Sequence, residues 1–207
     1  MSQLKLYRHP LSGHAHRAEL FLSLLGLEAE IIDVDLMTGE QRKKEFLKKN
    51  IFAQVPVLED GAHTIADSNA ILVYLASQYD HEHTWLPLEP AKAAEVQRFL
   101  SVASGPVNQG PATARLINLF GAKLDHAKAI ETAHKILGTL NEYLQGRDWL
   151  AAEHPTIADI SNYSYIAHAP EGNVSLEDYP NIRAWLQRTE ALPGFIAMQA
   201  SAVGLAA

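Results

Sequence analysis

Two domains of different class are predicted for this chain. An α/β domain spans residues 1–80, a linker spans 81–89, and an all-helical domain spans 90–207. The early part alternates short β-branched runs with helical stripes, in the order strand, helix, strand, helix, strand, strand, helix. Beyond Pro90 every apolar repeat has a helical period. Between the two parts, the stretch from Asp80 to Glu89 holds His81, His83, Trp85 and Pro87 with no period at all.

Leu4–Tyr7 alternates and reads as the first strand, followed by a loop at His9-Pro10-Leu11-Ser12-Gly13. Ala15, Ala18, Phe21, Leu22 and Leu25 form one stripe, which predicts a helix over His14–Leu25 stopped by Gly26. Ala29–Val34 is apolar and β-branched, a second strand parallel to the first because a helix joins them. Glu40–Leu47 reads as a short charged helix. Asp60-Gly61 is a tight turn, so Val57–Glu59 and His63–Ile65 pair antiparallel at a sheet edge. A helix over Ser68–Tyr79 follows, capped by Ser68 or Asp67.

Pro90 suits a first helical turn, and Ala91–Val102 continues it. Ser104-Gly105-Pro106 and Gly110-Pro111 predict a kink or a break. Asp125–Leu144 carries Ile130, Ala133, Ile136, Leu137 and Leu140 on one face, and helices over Ile157–Ala167, Asn181–Leu192 and Phe195–Ala202 complete the set. Thr156-Ile157-Ala158-Asp159 is a capping box with Asp in the place of Glu, flanked by Pro155 and Ile160 as a hydrophobic staple. Asp159 is therefore read as a folding residue.

Composition narrows the function classes. Hydrophobic residues make up 47% of the 207, enough for packed cores. The net charge of -7 argues against nucleic acid as a partner. Arg42-Lys43-Lys44 and Lys48-Lys49 are interrupted by acids at Glu40 and Glu45 and read as a solvated helix face. The absence of cysteine excludes disulfides, zinc–cysteine sites and a cysteine nucleophile. His81 and His83 have no third ligand at a recognisable spacing, so no metal site is expected. No apolar run approaches the ~20 residues of a membrane span. Met1-Ser2-Gln3-Leu4-Lys5 lacks a signal-peptide core, and a cytoplasmic protein is expected.

The candidate site lies at Gln54-Val55-Pro56-Val57 and Asp67-Ser68. Pro56 cannot donate to a sheet ladder and belongs at a strand start or an edge. It holds Val55 extended, leaving the Val55 N–H and C=O to pair with an extended ligand. Statistics favour a trans bond at Val55-Pro56, since only about 5–6% of X-Pro bonds are cis. Asp67 and Ser68 open a helix whose N-terminus suits a carboxylate, and an adjacent Asp can hold an ammonium. An α-amino-acid headgroup needs both, although both residues also suit simple capping.

These features resemble the glutathione S-transferase superfamily, of the bacterial type with a serine-like site, across nearly the whole chain. Leu6-Tyr7…Pro10…Ser12…Arg17-Ala18 is similar to the family's first strand and catalytic helix. Asn50…Gln54-Val55-Pro56-Val57-Leu58 is similar to its cis-proline segment, Asp67-Ser68-Asn69-Ala70-Ile71 to its acid-Ser-x-Ala-Ile motif, and Thr156–Asp159 to its capping box. Asn50-Ile51-Phe52-Ala53 departs from the family's Asn-Pro-x-Gly, and Asp67 stands where Glu is commoner. The resemblance implies a thioredoxin-like N-terminal domain, an all-helical C-terminal domain and a homodimer.

It also implies a function: a glutathione transferase that activates the glutathione thiolate for attack on a small hydrophobic electrophile. Glutathione is then a co-substrate, and no tightly bound cofactor is expected. Alternatives are a non-catalytic binding or regulatory module and a glutathione-dependent disulfide reductase. Ser12 is the implied thiolate donor, with Tyr7 as rival, and Ser12 equally suits a helix cap. Gln54, Val55, Asp67 and Ser68 are implied glutathione contacts, and Gln41, Arg42 and Lys43 occupy the region facing the glycyl carboxylate. Lys43 is favoured for its charge, with Gln41 beside it. His14 and His16 are candidate electrophile contacts or proton shuttles; Asn108, Arg115, Tyr163 and Tyr165 are candidate pocket walls.

Overall fold

A computed structural model of the protein describes residues 4–207. The expectations that fall on Met1-Ser2-Gln3 lie outside the described residues. The chain divides into two compact units. The first runs to His83 and also takes in Pro193–Gln199; the second holds Thr84–Leu192 and Ala200–Ala207. The division falls inside the 81–89 stretch read as a linker. The return of Pro193–Gln199 to the first unit departs from the continuous 90–207 domain expected.

The first unit is built on a four-stranded sheet. Its strands are β1 (Leu4–Arg8), β2 (Ala29–Asp33), β3 (Val57–Asp60) and β4 (His63–Ala66), in spatial order β2-β1-β3-β4. β1 runs parallel to β2, with Leu6 opposite Ile31, and antiparallel to β3, with Leu6 opposite Leu58. β3 and β4 form the expected hairpin, Asp60 opposite His63, with Gly61 in the turn at φ +57°. Only a residue without Cβ takes that left-handed conformation at no steric cost.

Strand alternation gives the sheet two different faces. Leu4, Leu6 and Leu58 are buried on one face. Arg8 points the same way and reaches Glu19 on α1 (Gly13–Leu24), Nη1 to Oε2 2.5 Å. α1 packs against α3 (Ser68–Tyr79), and both bury their stripes: Ala18, Phe21 and Leu22 from one, Ile71, Leu72 and Leu75 from the other. Each fully buried Leu, Ile or Phe side chain is worth about 1.5–3 kcal/mol. On the opposite face Tyr7, Val57, Val55 and Val34 pack with Phe46 of α2 (Lys44–Leu47). This is the thioredoxin-like arrangement that the family resemblance implies.

The expected helix over Glu40–Leu47 is divided. A 3₁₀ turn at Glu40–Arg42 ends at Lys43, which is extended at φ −70°, ψ 151°, before α2 begins. Gln41 thus lies within the 3₁₀ turn and Lys43 at the junction of the two pieces.

The second unit is helical throughout. α4 (Pro90–Val102) is capped by Glu89, which accepts from Ala91 N at 2.9 Å and Lys92 N at 3.2 Å. The break expected around Gly105–Pro111 is a change of pitch instead. A π-helical stretch over Ala103–Ala112 continues α4 directly into α5 (Thr113–Phe120). The wider turn accommodates Pro106 and Pro111 without ending the helix. α6 (His126–Tyr143) packs on that stretch, and a Cβ at Gly110 would lie 2.7 Å from the Ala133 backbone.

α7 (Ile157–Ala167) and α8 (Pro180–Glu190) follow. The Thr156–Asp159 capping box forms as read: Thr156 N donates to Asp159 Oδ2 at 2.9 Å, and Ala158 N donates to Thr156 Oγ1 at 3.3 Å. Asp159 Oδ1 also accepts from Leu150 N and from Trp185 Nε1, both at 2.9 Å. The helix expected over Phe195–Ala202 does not form. Gly194 turns the chain at φ +86°. Side chains then take the acceptors a helix would use: Ser23 Oγ donates to Gly194 O at 2.6 Å, and His16 Nε2 donates to Ile196 O at 2.9 Å.

Candidate active site

Ser12 stands at the N-terminus of α1. Its backbone is extended at φ −87°, ψ 115°, and its Oγ accepts from Ala15 N at 3.3 Å. Ser12 N donates to His9 O at 2.9 Å, which closes the preceding loop. Burial holds the His9 imidazole below its ordinary pKa, against the upward pull of Asp33 and Asp35. Ser12 is therefore a genuine helix cap. The cap uses one lone pair of the hydroxyl and leaves its hydrogen for donation.

Asp67 caps α3, accepting through Oδ1 from Asn69 N at 2.9 Å and Ala70 N at 3.0 Å. Its backbone sits at φ +76°, ψ 127°, a conformation that costs a non-glycine residue about 1–3 kcal/mol. Ser68, the first residue of α3, is buried and does not cap. Its hydroxyl accepts instead from Arg17 Nη1 at 2.7 Å and lies 3.2 Å from His14 Nδ1. The same Arg17 nitrogen donates to Asn69 Oδ1 at 3.0 Å and sits 3.3 Å from His14 Nδ1. Buried Arg17 thus ties the first turns of α1 and α3 together.

Sequence reasoning gave Arg17 no role of its own. The available signal was the i, i+3 spacing of His14 and Arg17, which puts both on one face of α1.

The Val55-Pro56 bond is cis, against the statistics for an isolated X-Pro bond and in agreement with the family resemblance. Asn50 shapes this turn: its Nδ2 donates to Gln54 O at 2.9 Å, and its Oδ1 accepts from Phe52 N at 3.0 Å. Among the described residues none hydrogen-bonds to the Val55 backbone. Gln54 is exposed. Near α2, Lys43 and Arg42 are exposed, while Gln41 is half-buried with its Oε1 enclosed and without a hydrogen-bond partner among the described residues. Asp35 stiffens the loop leading there, accepting from Met37 N and Thr38 N. Those bonds hold its carboxyl below the ordinary range.

Tyr7 lies on the other face of the sheet from α1. Its hydroxyl donates to Glu59 Oε2 at 2.9 Å, and Lys49 pairs with Glu59 while sitting 4.6 Å from the Tyr7 ring centroid. Burial pushes the Glu59 carboxyl up, but hydrogen bonds from Lys49 and Tyr7 outweigh it and bring the pKa below its usual value. In the helical unit, Arg115 Nε donates to Glu171 Oε2 at 2.7 Å in a buried ion pair. Tyr163 donates to Glu190 at 2.9 Å, and Tyr165 is buried. Arg115 and Tyr163, read as pocket walls, are committed to the interior of that unit.

Family models match the chain in two parts: the glutathione S-transferase N-terminal domain over residues 2–77 and the glutathione S-transferase C-terminal domain over residues 81–193. The chain is 34% identical to glutathione S-transferase 3 of Zea mays, over 94% of this chain and 92% of that one. Among solved structures it is similar to a glutathione S-transferase from Pseudomonas fluorescens, with TM-score 0.89 and 32% identity, covering 96% of this chain and 100% of that one. It is also similar to a glutathione transferase homologue of a Drosophila species, solved with bound glutathione: TM-score 0.85, 32% identity, covering 93% and 90% of the two chains.

Proposed function

The chain belongs to the glutathione S-transferase family and is a glutathione transferase with glutathione as its co-substrate, and on that premise we propose how its own residues bind and activate the tripeptide. One observation carries the reading. The hydroxyls of Ser12 and Ser68 stand at the starts of two helices that Arg17 ties together, and in the same unit the Val55 backbone has no hydrogen-bond partner among the described residues.

Ser68 donates to the α-carboxylate of the γ-glutamyl group, aided by the α3 N-terminus. Asp67 spends Oδ1 on its cap and turns Oδ2 to the α-ammonium. Val55 pairs with the cysteinyl backbone as an added strand would, with Gln54 flanking it. At the glycyl end, the enclosed Oε1 of Gln41 leaves its Nε2 as the donor to the carboxylate, and exposed Lys43 adds charge. Ser12 donates its hydrogen to the thiolate, and the α1 dipole favours the same anion. Tyr7 ranks below Ser12 because its hydroxyl already serves Glu59 on the far face of the sheet.

The electrophile is a small hydrophobic molecule and the working assembly is a cytoplasmic homodimer; symmetric dimers are the commonest closed oligomer. No helix among the described residues is long and apolar enough to cross a membrane. The related proteins are named as transferases, which favours neither a non-catalytic module nor a disulfide reductase.

The test is calorimetric titration with glutathione. Ser68→Ala should weaken binding by about 1.5–3 kcal/mol, the range for a hydrogen bond to a charged group. A folded Ser68→Ala protein with wild-type affinity would remove the headgroup assignment. Light scattering at micromolar protein should give twice the chain mass; a monomer would sink the dimer.

A further inference from the structure

Ser68 has one hydroxyl hydrogen, and the structure already gives it a destination. Arg17 carries only donors, so its Nη1 occupies a lone pair of Ser68 Oγ at 2.7 Å. The hydrogen of Ser68 is left to point elsewhere, and His14 Nδ1 lies 3.2 Å away. A proton on His14 Nδ1 would face the Arg17 donor at 3.3 Å, donor against donor. The compatible state is therefore a neutral imidazole with its hydrogen on Nε2 and Nδ1 accepting from Ser68.

We propose that His14 is a positioning residue that holds the Ser68 hydroxyl hydrogen in the ligand-free site and competes for it with the γ-glutamyl carboxylate of glutathione. The inference rests on the headgroup reading above. When the tripeptide arrives, the Ser68 O–H turns about its Cβ–Oγ bond from His14 Nδ1 to the ligand carboxylate, a charged and stronger acceptor. No proton changes owner. Arg17 Nη1 has its two hydrogens on Ser68 Oγ and Asn69 Oδ1, so at 3.3 Å it reaches the nitrogen that Ser68 leaves only through a shared hydrogen. His14 thus keeps the buried hydroxyl satisfied without ligand and lowers glutathione affinity by the bond that must be given up. It tunes how much glutathione the enzyme needs without touching the thiol.

His14 is half-buried, so substitution is compatible with folding. Leu and Asn have nearly the same shape, and only Asn offers an acceptor. We expect His14→Leu to bind glutathione about two- to tenfold more tightly than wild type, the span of one neutral hydrogen bond. His14→Asn should restore the wild-type dissociation constant, which a merely structural role of the ring would not produce. In a Ser68→Ala background His14→Leu should change nothing, and the same should hold for 4-aminobutyryl-cysteinylglycine, a glutathione analogue without the α-carboxylate.

Unchanged or weaker glutathione binding in His14→Leu, with Ser68→Ala still impaired, overturns the role of His14 and leaves the headgroup reading standing. Wild-type affinity in Ser68→Ala overturns that reading first. A measurement on the unsubstituted chain gives an independent check: nitrogen-15 imidazole spectra should show His14 Nδ1 unprotonated at neutral pH and shifted on addition of glutathione. A protonated Nδ1 in the free protein would also overturn the inference.

Discussion

Ser12 does two things at once, and the two can be separated. Its Oγ accepts from Ala15 N at 3.3 Å as the cap of α1. Its hydrogen, in our reading, serves the glutathione thiolate. Ser12→Ala removes both functions. Loss of the cap should cost about 0.5–2 kcal/mol of stability, whereas glycine at a cap costs only a few tenths. Loss of one donor to a reacting anion typically costs on the order of 10²–10³ in rate, and a soft thiolate should sit at or below the low end. Ser12→Ala and Ser12→Gly should therefore slow conjugation of a generic aromatic electrophile alike, while only Ser12→Ala loses appreciable thermal stability. Both should raise the pKa of bound glutathione toward the free-thiol value of about 8.5, read by ultraviolet titration of the thiolate. Tyr7→Phe should be milder, since it removes a bond to Glu59 on the far face. A Ser12→Gly enzyme with wild-type thiolate pKa and rate would refute the reasoning and reduce Ser12 to its cap. If Tyr7→Phe were the slow variant, the site would be of the tyrosine type.

Two further predictions concern the helical unit. Asp159 is fully buried and accepts from Thr156 N, Leu150 N and Trp185 Nε1, so Asp159→Ala leaves those donors without their acceptor. At about 1–3 kcal/mol for each unsatisfied buried group, the loss should be several kcal/mol, measured by chemical denaturation; a loss below 1 kcal/mol would show that the donors find other partners. The Glu171 pKa is lowered overall: burial pushes it up, but hydrogen bonds from Ser201 and His168 and the charge of Arg115 outweigh that. A depressed folded value makes the contribution fully present above the unfolded pKa of about 4.3 and lost as pH falls through the folded value. Stability should fall with acid below that point more steeply in wild type than in Glu171→Gln, and parallel pH profiles would exclude Glu171 as the source.

Much of the first unit was legible in the sequence because its signals are local. The Ser68–Tyr79 helix was bounded as observed, since the acid-hydroxyl pair and the apolar stripe speak with one voice. Ile157–Ala167 was likewise fixed by its capping box. The local pattern misleads where a distant group decides the outcome. Residues 195–202 have a helical stripe, yet His16 and Ser23 take the carbonyls of Ile196 and Gly194. Pro106 and Pro111 signalled a break, but the chain absorbs them in a π-helical stretch, where Gly110 meets the Ala133 backbone. The split at Lys43 had no local breaker to announce it.

The same distinction governs the candidate site. Ser12, Asp67 and Ser68 could be named from sequence because caps and functional groups at helix starts draw on the same residue types. That overlap left the choice between cap and ligand open. The geometry shows which atoms capping uses and which it leaves over. Ser12 gives a lone pair to the cap and keeps a hydrogen. Asp67 gives Oδ1 to the cap and keeps Oδ2. Ser68 takes no part in capping, and its oxygen is occupied by Arg17. Arg17 has one local signal, His14 a turn before it, but the partners that place it in the site, Ser68 and Asn69, lie 51 and 52 residues away in sequence. A helix cap and a ligand contact therefore need not compete for one side chain, and folding free energy and glutathione affinity can be set by different atoms of the same residues.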